Sequence, residues 1–324
     1  MHKHEKRLLT VGNIYIDHNI FGVDSSKPFL LEGGNDYFGT GGERVLGGSA
    51  INAAMQARRL DIDVAFIGKT GQDEGAKEVR VLLENEGIRA ELIKQDSSRT
   101  TSMAVNVVDN HGDFIGIHYG DASRQLTAED IDLNHPLVAT TDGIYLGGTI
   151  KQPILFKDLS NLFARVSCKG IKIFYDPNRF PAVETPVDRT LLMKQLAYVE
   201  GYFPNEEELL QATNSPSIDD ALEMALKTGV KFVALKLGAR GCHIKTANQD
   251  IAVAGVSVDP KTTVGAGDCF NATFIAYYLN GYDLKECALN ATKAASIKVG
   301  QNIWPTKNQI EQVVDPRVSA IRIP

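Results

Sequence analysis

Short apolar runs alternate with amphipathic segments through the second half of the chain. The runs typical of buried strands are GIYLGG, IKIFYDP, YVEGYFPN and KFVALKLG. Segments such as SIDDALEMALKTG lie between them, and their apolar residues recur at helical spacing. This alternation predicts an α/β fold with a mostly parallel central sheet and helices on both faces. GCHIKTA is expected to add an antiparallel strand at an edge of that sheet.

The first part of the chain departs from this alternation. RLLTVGNIYID is expected to be one buried strand, and SAINAAMQARRL a helix with Ser49 as its N-cap. The segment from Phe21 to Gly48 is polar and rich in glycine, which favours a loop or a short edge strand. TSMAVNVVDNHGDFIGIHYG alternates around the turn DNHGD and predicts an antiparallel hairpin. We expect these last two segments to form a small β subdomain that projects from the main sheet.

Polar residues follow the predicted strands at their carboxyl ends. Asp17, Asp176, Asn205 and Gly238 each lie at or just after such an end. Ligands of open α/β sheets bind beyond the carboxyl ends of the strands. We therefore expect these residues to converge on one site.

Composition and charge disfavour several classes of partner. The chain has 324 residues, with 34 Lys and Arg against 40 Asp and Glu, and its net charge of −6 includes no basic run. This charge pattern argues against nucleic acid or an anionic membrane as a main partner. No secretory signal is evident at the N-terminus, and no run approaches the roughly 20 apolar residues of a membrane span. We expect a cytoplasmic protein with reduced thiols, because its four cysteines show neither CxxC nor zinc-site spacing.

The stretch TTVGAGDCF carries the clearest chemistry. Gly265, Ala266 and Gly267 precede Asp268, and the apolar spacing after them predicts a helix that starts near Gly267. The free N–H groups and the positive dipole of a helix start, next to three small residues, form an anion hole suited to phosphate. Asp268 could then deprotonate an alcohol that attacks a γ-phosphoryl group, although an acid alone there is also an ordinary first-turn residue. Cys269 is a poor candidate nucleophile, because no histidine lies near it in the sequence.

These motifs together resemble a known family. TTVGAGDCF is similar to the second signature, usually written DTxGAGD, of the PfkB/ribokinase family of carbohydrate and nucleoside kinases. The stretch Gly47–Gly75 resembles the first signature, PNEEEL resembles the NxxE motif through Asn205 and Glu208, and KLGARG resembles the strand–turn segment before the ATP site. Order and spacing agree from about Val11 to Trp304. The resemblance implies a ribokinase-like fold and an ATP-dependent kinase.

On the nucleotide side, the resemblance implies that Asp268 is the catalytic base and Gly265–Gly267 the anion hole. Asn205 and Glu208 would organise Mg²⁺ and the phosphates of ATP, partly through water. The remaining residues implied to line the ATP site are Lys236, Gly238, Gly241, Thr263, Gly265 and Gly267. Two alternatives stay open at this point: a solvated acidic helix start at Glu206–Glu208, and a solvated lysine at position 236.

On the acceptor side, Asp17 matches the acid that binds sugar hydroxyls in the family. A carboxylate accepts two hydroxyl hydrogen bonds and so suits a vicinal diol. Gly47, Gly48 and Asn52 match positions that line the sugar site. Two alternatives stay open: Asp17 could be an ordinary turn aspartate, and Asn52 could be a helix-start residue that makes a local hydrogen bond. The DPNR segment adds Asn178 and Arg179, and the arginine could instead lie on the surface.

One departure concerns the cation that activates ribokinase-like members. Thr262 stands where the second signature usually has an acid that helps to hold a monovalent cation, and the C-terminal segment reads KVGQNIWPT. We expect activation by K⁺ to be weak or absent, although Asp259 could partly substitute for that acid.

The resemblance further implies one kinase domain over residues 1–324, with lid segments at about 18–46 and 99–121. Lids of this family often pair between subunits, so a homodimer is expected. The acceptor would be a small sugar or sugar derivative, with a nucleoside as the alternative. A non-catalytic sensor of this fold would be expected to lack the base or the anion hole. A P-loop is excluded, because position 63, where that loop requires glycine, is Asp63.

Overall fold

The computed structural model describes residues 5–24, 36–109, 114–178, 189–314 and 320–322, and within these ranges it has fifteen strands and ten α-helices. The strands are β1 Arg7–Gly12, β2 Tyr15–Val23, β3 Gly41–Gly47, β4 Asp63–Ile67, β5 Lys69–Thr70, β6 Lys94–Gln95, β7 Met103–Asp109, β8 Phe114–Tyr119, β9 Gly143–Gly147, β10 Lys172–Asp176, β11 Gly201–Tyr202, β12 Phe232–Lys236, β13 Gly241–Lys245, β14 Asp250–Ala254 and β15 Ala320–Arg322. The helices are α1 Ser49–Arg58, α2 Glu74–Asn85, α3 Pro136–Ala139, α4 Pro153–Ser167, α5 Arg189–Leu196, α6 Glu206–Thr213, α7 Ile218–Lys227, α8 Ala266–Leu279, α9 Leu284–Gln301 and α10 Lys307–Glu311.

The larger sheet has nine strands in the order β15-β14-β13-β12-β11-β10-β9-β1-β4. The pairings from β4 to β12 are parallel, and those from β12 to β15 are antiparallel. The predicted mostly parallel α/β sheet is confirmed. The expectation that GCHIKTA forms an edge strand is wrong, because β14 pairs with the far side of β13.

Two apolar cores cover the two faces of this sheet. One contains the buried residues of α1, α8 and α9, and the other contains those of α4, α6 and α7. The parallel strands β1, β9 and β10 are almost wholly buried because both of their faces are covered. None of the described helices is both long and apolar enough to cross a bilayer.

A second sheet has the strand order β3-β2-β7-β8 and is called the lid here. β7 and β8 form the predicted antiparallel hairpin, whose turn at 110–113 lies outside the described residues. The pairing of β2 with β7 is parallel, and that of β2 with β3 is antiparallel. The Phe21–Gly48 segment therefore contributes β3 at an edge of the lid, which confirms the edge strand as the right one of the two expected alternatives.

RLLTVGNIYID is not one strand. It breaks at Asn13 and Ile14, so that β1 belongs to the main sheet and β2 to the lid. Asn13 Nδ2 donates to the backbone oxygen of Gly148, and Ser123 Oγ donates to Asn13 Oδ1, each at 3.1 Å. These tertiary bonds hold the break, so Asp17 lies on a lid strand and does not follow the carboxyl end of a main-sheet strand.

Candidate active site

Helix α8 begins as the sequence predicts. Gly265 is its N-cap, with a φ of 76° in the left-handed region, and Ala266 is its first residue. Glycine adopts this conformation without the steric penalty of a side chain. The N–H groups of Gly267 and Asp268 have no acceptor among the described residues. A pair of free donors therefore lies at the positive end of the helix dipole.

Asp268 is held by two side chains from α1. Ser49 Oγ donates to Asp268 Oδ1 at 2.5 Å, and Asn52 Nδ2 donates to Asp268 Oδ2 at 2.8 Å. Burial raises the pKa of Asp268, while the hydrogen bonds from Ser49 and Asn52 act in the opposite direction. The carboxylate is therefore fixed in orientation beside the helix start.

These contacts decide two points that the sequence left open or assigned otherwise. The N-cap of α1 is Gly48, without a side-chain capping bond, so the expectation for Ser49 is wrong. The hydroxyl of Ser49 is used by Asp268 instead. Asn52 likewise bonds to Asp268 across the site and not to its own backbone.

Lys236 and Asp176 form a buried ion pair next to the helix start. Lys236 Nζ lies 2.6 Å from Asp176 Oδ2, and the side chains are 15% and 1% exposed, so the alternative of a solvated lysine is wrong. A Cβ atom built on Gly267 would lie 3.5 Å from Lys236 Nζ. The ammonium group is thus close to the predicted anion hole. Buried acids around it, with Asp176 foremost, raise the pKa of Lys236 against the effect of burial.

Sequence reasoning missed the buried polar residues that connect these two groups. Asn271 Nδ2 donates to Asp176 Oδ2 at 2.7 Å and to the hydroxyl of Tyr145 at 3.1 Å. That hydroxyl lies 3.4 Å from Ser49 Oγ. The neutral side chains of Ser49, Tyr145 and Asn271 therefore connect Asp268 to Asp176, and Asp176 pairs with Lys236. A polar residue one turn into the apolar α8, as Asn271 is, was the available signal.

Asn205 and Glu208 form a capping box at the start of α6. Asn205 Oδ1 accepts from the backbone N–H of Glu208, and Glu208 Oε2 accepts from that of Asn205, each at 2.8 Å. Glu208 is only 4% exposed, so it is not part of a solvated acidic helix start, the alternative that the sequence left open. Burial, assisted by the charge of Asp176, raises the pKa of Glu208 to about 7.

The acids of this region suit a hard cation. Asp176, Glu208 and Asp268 carry three carboxylates around the single ammonium of Lys236, and each raises the pKa of that lysine. Carboxylate oxygens are ligands that Mg²⁺ accepts, often through its water shell. The described residues contain no cluster of three acids, histidines or cysteines close enough to bind a metal directly. The arrangement therefore fits Mg²⁺ held through water and substrate phosphates.

Asp17 lies on β2 of the lid. It shares one face of that sheet, called the inner face here, with Ala104 and His118. No described residue donates a hydrogen bond to its carboxylate, and burial raises its pKa to about 6, against the charge of Lys151. Gly47 provides the space for it, because a Cβ atom there would lie 1.9 Å from Asp17 Oδ2. A half-buried carboxylate with free acceptor capacity can bind hydroxyl groups.

Asn178 lies just beyond the carboxyl end of β10. Its backbone N–H donates to Asp176 Oδ1 at 2.9 Å, and its side-chain amide lies close to Gly148. Arg179, the other candidate of the DPNR segment, lies outside the described residues. Asn178 is therefore at the same edge of the main sheet as Asp176.

Comparison with known proteins identifies the family. The pfkB family carbohydrate kinase profile matches residues 6–302. The chain belongs to the pfkB family of carbohydrate kinases. It is 28% identical over 237 residues to an uncharacterized sugar kinase of Archaeoglobus fulgidus, covering 72% of this chain and 90% of that protein.

A longer match is to the ribokinase of Haemophilus influenzae, with 25% identity over 313 residues that cover 94% of this chain and 97% of the relative. Among solved structures, a putative ribokinase II from E. coli in complex with ATP and Mg²⁺ has a TM-score of 0.81 and 22% identity. The alignment covers 95% of this chain and 98% of that one. The ribokinase-like fold is therefore confirmed, and the protein is a carbohydrate kinase.

The other candidate residues of this kinase lie along the loops beside α8. Gly238 begins a short 3-10 turn after β12, and Gly241 begins β13. Thr263 is exposed, and its carbonyl accepts from the N–H of Ala266 at 3.3 Å. A Cβ atom on Gly238 would meet nothing within 4 Å, whereas one on Gly241 would lie 2.0 Å from the carbonyl of Val253. Gly238 thus faces open space, and Gly241 packs against β14.

Cys269 does not have the environment of a nucleophile. It is fully buried in α8, and burial raises the pKa of its thiol. The other cysteines, at positions 168, 242 and 287, are also free, and of these only Cys168 is exposed.

Proposed function

We propose that this kinase transfers the γ-phosphoryl group of ATP to a hydroxyl group of a small sugar or sugar derivative, with Asp268 as the base. The observation that carries the proposal is the position of the Asp268 carboxylate. Ser49 and Asn52 hold it at the first turn of α8, next to two free backbone donors. A base and an anion hole in contact are what phosphoryl transfer to an alcohol requires.

Each group has a defined task in this reaction. Asp268 orients the acceptor hydroxyl and takes its proton as the oxygen attacks the γ-phosphorus. The bond from that phosphorus to the β–γ bridging oxygen breaks, and ADP leaves with the bonding electrons. The free N–H groups of Gly267 and Asp268, at the anion hole that Gly265–Gly267 form, stabilise the charge on the transferred group. Lys236, held by Asp176 at 2.6 Å, adds a positive charge beside Gly267. Asp176 and Asn271 position that lysine and do not contact the substrate.

Asn205 and Glu208 are proposed to hold Mg²⁺ through water. When bound, Mg²⁺ neutralises charge on the β- and γ-phosphates. The E. coli structure contains both ATP and Mg²⁺, which supports the same cofactor here. Gly238, Gly241 and Thr263 are proposed to line the nucleotide, with Gly238 offering open space for it.

The acceptor is proposed to lie between the lid and the carboxyl ends of β9 and β10. Asp17, Gly47, Gly48, Asn52 and Asn178 would line it, and Arg179 would join them from outside the described residues. The free carboxylate of Asp17 favours a vicinal diol of a sugar, and the match to a ribokinase supports that class. A nucleoside also carries a diol and is the alternative acceptor.

The protein is further proposed to be a cytoplasmic homodimer that pairs through its lid. Ile115, Ile117 and Tyr119 alternate along β8, and they are 46%, 46% and 52% exposed. Cross-strand neighbours share a face, so Ile117 lies with Val105 and His18 on the side opposite Asp17. An exposed apolar sheet face is a suitable surface for a second copy. The free cysteines agree with a reducing compartment.

The first test measures ADP release with Mg·ATP across pentoses, hexoses, keto-sugar acids and nucleosides, for the wild type and for Asp268→Asn. We expect turnover with a sugar or sugar derivative, and a loss of about 10²-fold or more in kcat in the variant, since it lacks the base. Turnover with nucleosides alone would assign the alternative acceptor. Binding of ATP and a sugar without turnover by any acceptor would indicate a sensor and contradict the proposal.

A further inference from the structure

The loop that forms the anion hole is bound to the carboxyl end of a helix. The backbone N–H groups of Lys261 and Thr262 donate to the carbonyl of Val299 at 2.9 and 3.2 Å. Val299 belongs to the last turn of α9, which ends at Gln301. A helix carries about half a negative charge at its carboxyl end. The end of α9 therefore opposes an anion bound by Gly265–Gly267, while the start of α8 favours it.

Lys298, on the same last turn of α9, places a cation at this junction. It is only 6% exposed. A Cβ atom built on Gly265 would lie 3.3 Å from Lys298 Cε and 2.9 Å from the ring of Trp304. The lysine stem and the indole ring thus pack against the back of the anion hole.

The ammonium group of Lys298 is held without an acid. Nζ donates to Asn302 Oδ1 at 2.7 Å and lies 4.3 Å from the centre of the Trp304 ring. No ion pair involves Lys298 among the described residues. Both partners bind the charged form of the amine. Burial lowers the pKa of Lys298, and Cys269, Glu43 and Asp268 act in the opposite direction.

A buried cation without a carboxylate partner is costly to fold, so its position needs a reason. Its charge is not cancelled locally, and its field therefore reaches the anion hole. Thr262 fits this arrangement, because its hydroxyl accepts from the N–H of Val264 at 3.1 Å and brings no negative charge. An acid at this position would oppose the effect of Lys298.

We propose that Lys298 is a built-in cation of the anion hole, which offsets the carboxyl end of α9 and stabilises the charge on the transferred phosphoryl group. The enzyme would then need no added monovalent cation for full rate. This inference rests on the proposed function, since it assigns a role in that reaction.

The experiment compares the wild type with Lys298→Met, Lys298→Ala and the control Lys285→Met. Lys285 lies exposed near the other end of the same helix, so its change removes a charge far from the site. Rates are measured over a KCl series, with choline chloride keeping ionic strength constant. Thermal unfolding of each protein is followed in parallel.

We expect the wild type and Lys285→Met to show little response to KCl. Lys298→Met should lose about tenfold or more in kcat, with little change in the acceptor KM, because the charge acts mainly on the transition state. Its melting temperature should be equal or higher, since an unpaired buried charge has been removed. K⁺ or NH₄⁺ should partly restore Lys298→Ala, where the side chain leaves space.

Two outcomes would overturn the inference: a several-fold activation of the wild type by K⁺, or a folded Lys298→Met with full kcat. The KCl series on the wild type tests the first of these outcomes even if the variants fail to fold. If the wild type turns over no acceptor at all, the proposed function fails instead. If the wild type is active and the Lys298 variants have the same kcat as the wild type, the role of Lys298 is contradicted but the proposed function is not.

Discussion

Two aspartates of the site have opposite surroundings, and this divides their tasks. Asp268 receives one hydrogen bond on each carboxylate oxygen, from Ser49 and Asn52. Asp17 receives none from the described residues. Burial raises the pKa of both groups. The Asp268 carboxylate is therefore fixed in orientation, as its proposed role as a base requires, whereas Asp17 retains acceptor capacity for the proposed acceptor.

At the scale of single residues, we predict that binding of the acceptor depends on pH. The pKa of Asp17 is raised to about 6, so the group is ionised above that pH and protonated below it. Only the ionised carboxylate accepts charge-assisted hydrogen bonds on both of its oxygens, and these are stronger than bonds to the protonated acid. The Kd of the acceptor should therefore be constant above the pKa and rise about tenfold per pH unit below it.

Calorimetric titration without ATP, in the Asp268→Asn background, checks this because that variant lacks the other carboxylate facing the acceptor. Adding Asp17→Asn should give weaker binding that no longer depends on pH. A steep pH dependence that survives Asp17→Asn would assign the effect to another group.

At the scale of elements, the pairing of β3 with β2 shapes the proposed acceptor site. Gly47 ends β3 and is followed directly by Gly48, the N-cap of α1, so one short segment joins the lid to the helix that holds Asp268. The Asp17 carboxylate occupies the space that a side chain at position 47 would need. This contact accounts for Gly47, whereas Gly48 is accounted for by its positive φ of 113° and by the carbonyl of Asn13, 2.4 Å from where its Cβ would lie.

Gly47→Ala should displace Asp17, because the added Cβ would lie 1.9 Å from Asp17 Oδ2. We expect the acceptor KM to rise about tenfold or more, as for the loss of a charged hydrogen bond, with the KM for ATP unchanged. Gly41→Ala on the same strand is the matched control, since its Cβ would meet nothing within 4 Å. Steady-state kinetics with each substrate varied would decide, and an unchanged acceptor KM in Gly47→Ala would refute the placement of Asp17.

At the scale of the whole molecule, the lid presents two different faces. Asp17, Ala104 and His118 are cross-strand neighbours on one face, while His18, Val105 and Ile117 are neighbours on the other. The face that carries Asp17 is the one proposed to contact the acceptor. The outer face exposes isoleucines in a protein whose two cores already bury most of its large apolar residues. A second subunit would remove this surface from water.

Ile117→Glu should therefore convert a dimer into a monomer, because a charge would be buried in the apolar contact. Light scattering after size exclusion gives the mass directly. Met224→Glu on α7 changes a residue that is 43% exposed, on a helix that packs against α6 and β12, and should leave the mass unchanged. A wild type that is monomeric at high concentration would show that the lid does not pair.

The sequence by itself determined the elements whose signals are local. The parallel sheet, the β7–β8 hairpin and the start of α8 follow from periodicity and from the residues at the helix start, because backbone conformation responds to near neighbours. The free N–H groups of the proposed anion hole could be predicted for the same reason, since they are backbone groups of one short segment.

Only the tertiary structure decided which side chains meet. Ser49 and Asp268 are 219 residues apart, and Asp176 and Lys236 are 60 apart, yet both pairs are in hydrogen-bond contact. A serine before a helix looks locally like an N-cap, and its distant partner leaves no mark on that pattern. Lys298 is likewise an ordinary residue of α9 until Gly265 packs against it. Partners of this kind are selected by the packing of whole elements, which depends on the complete core.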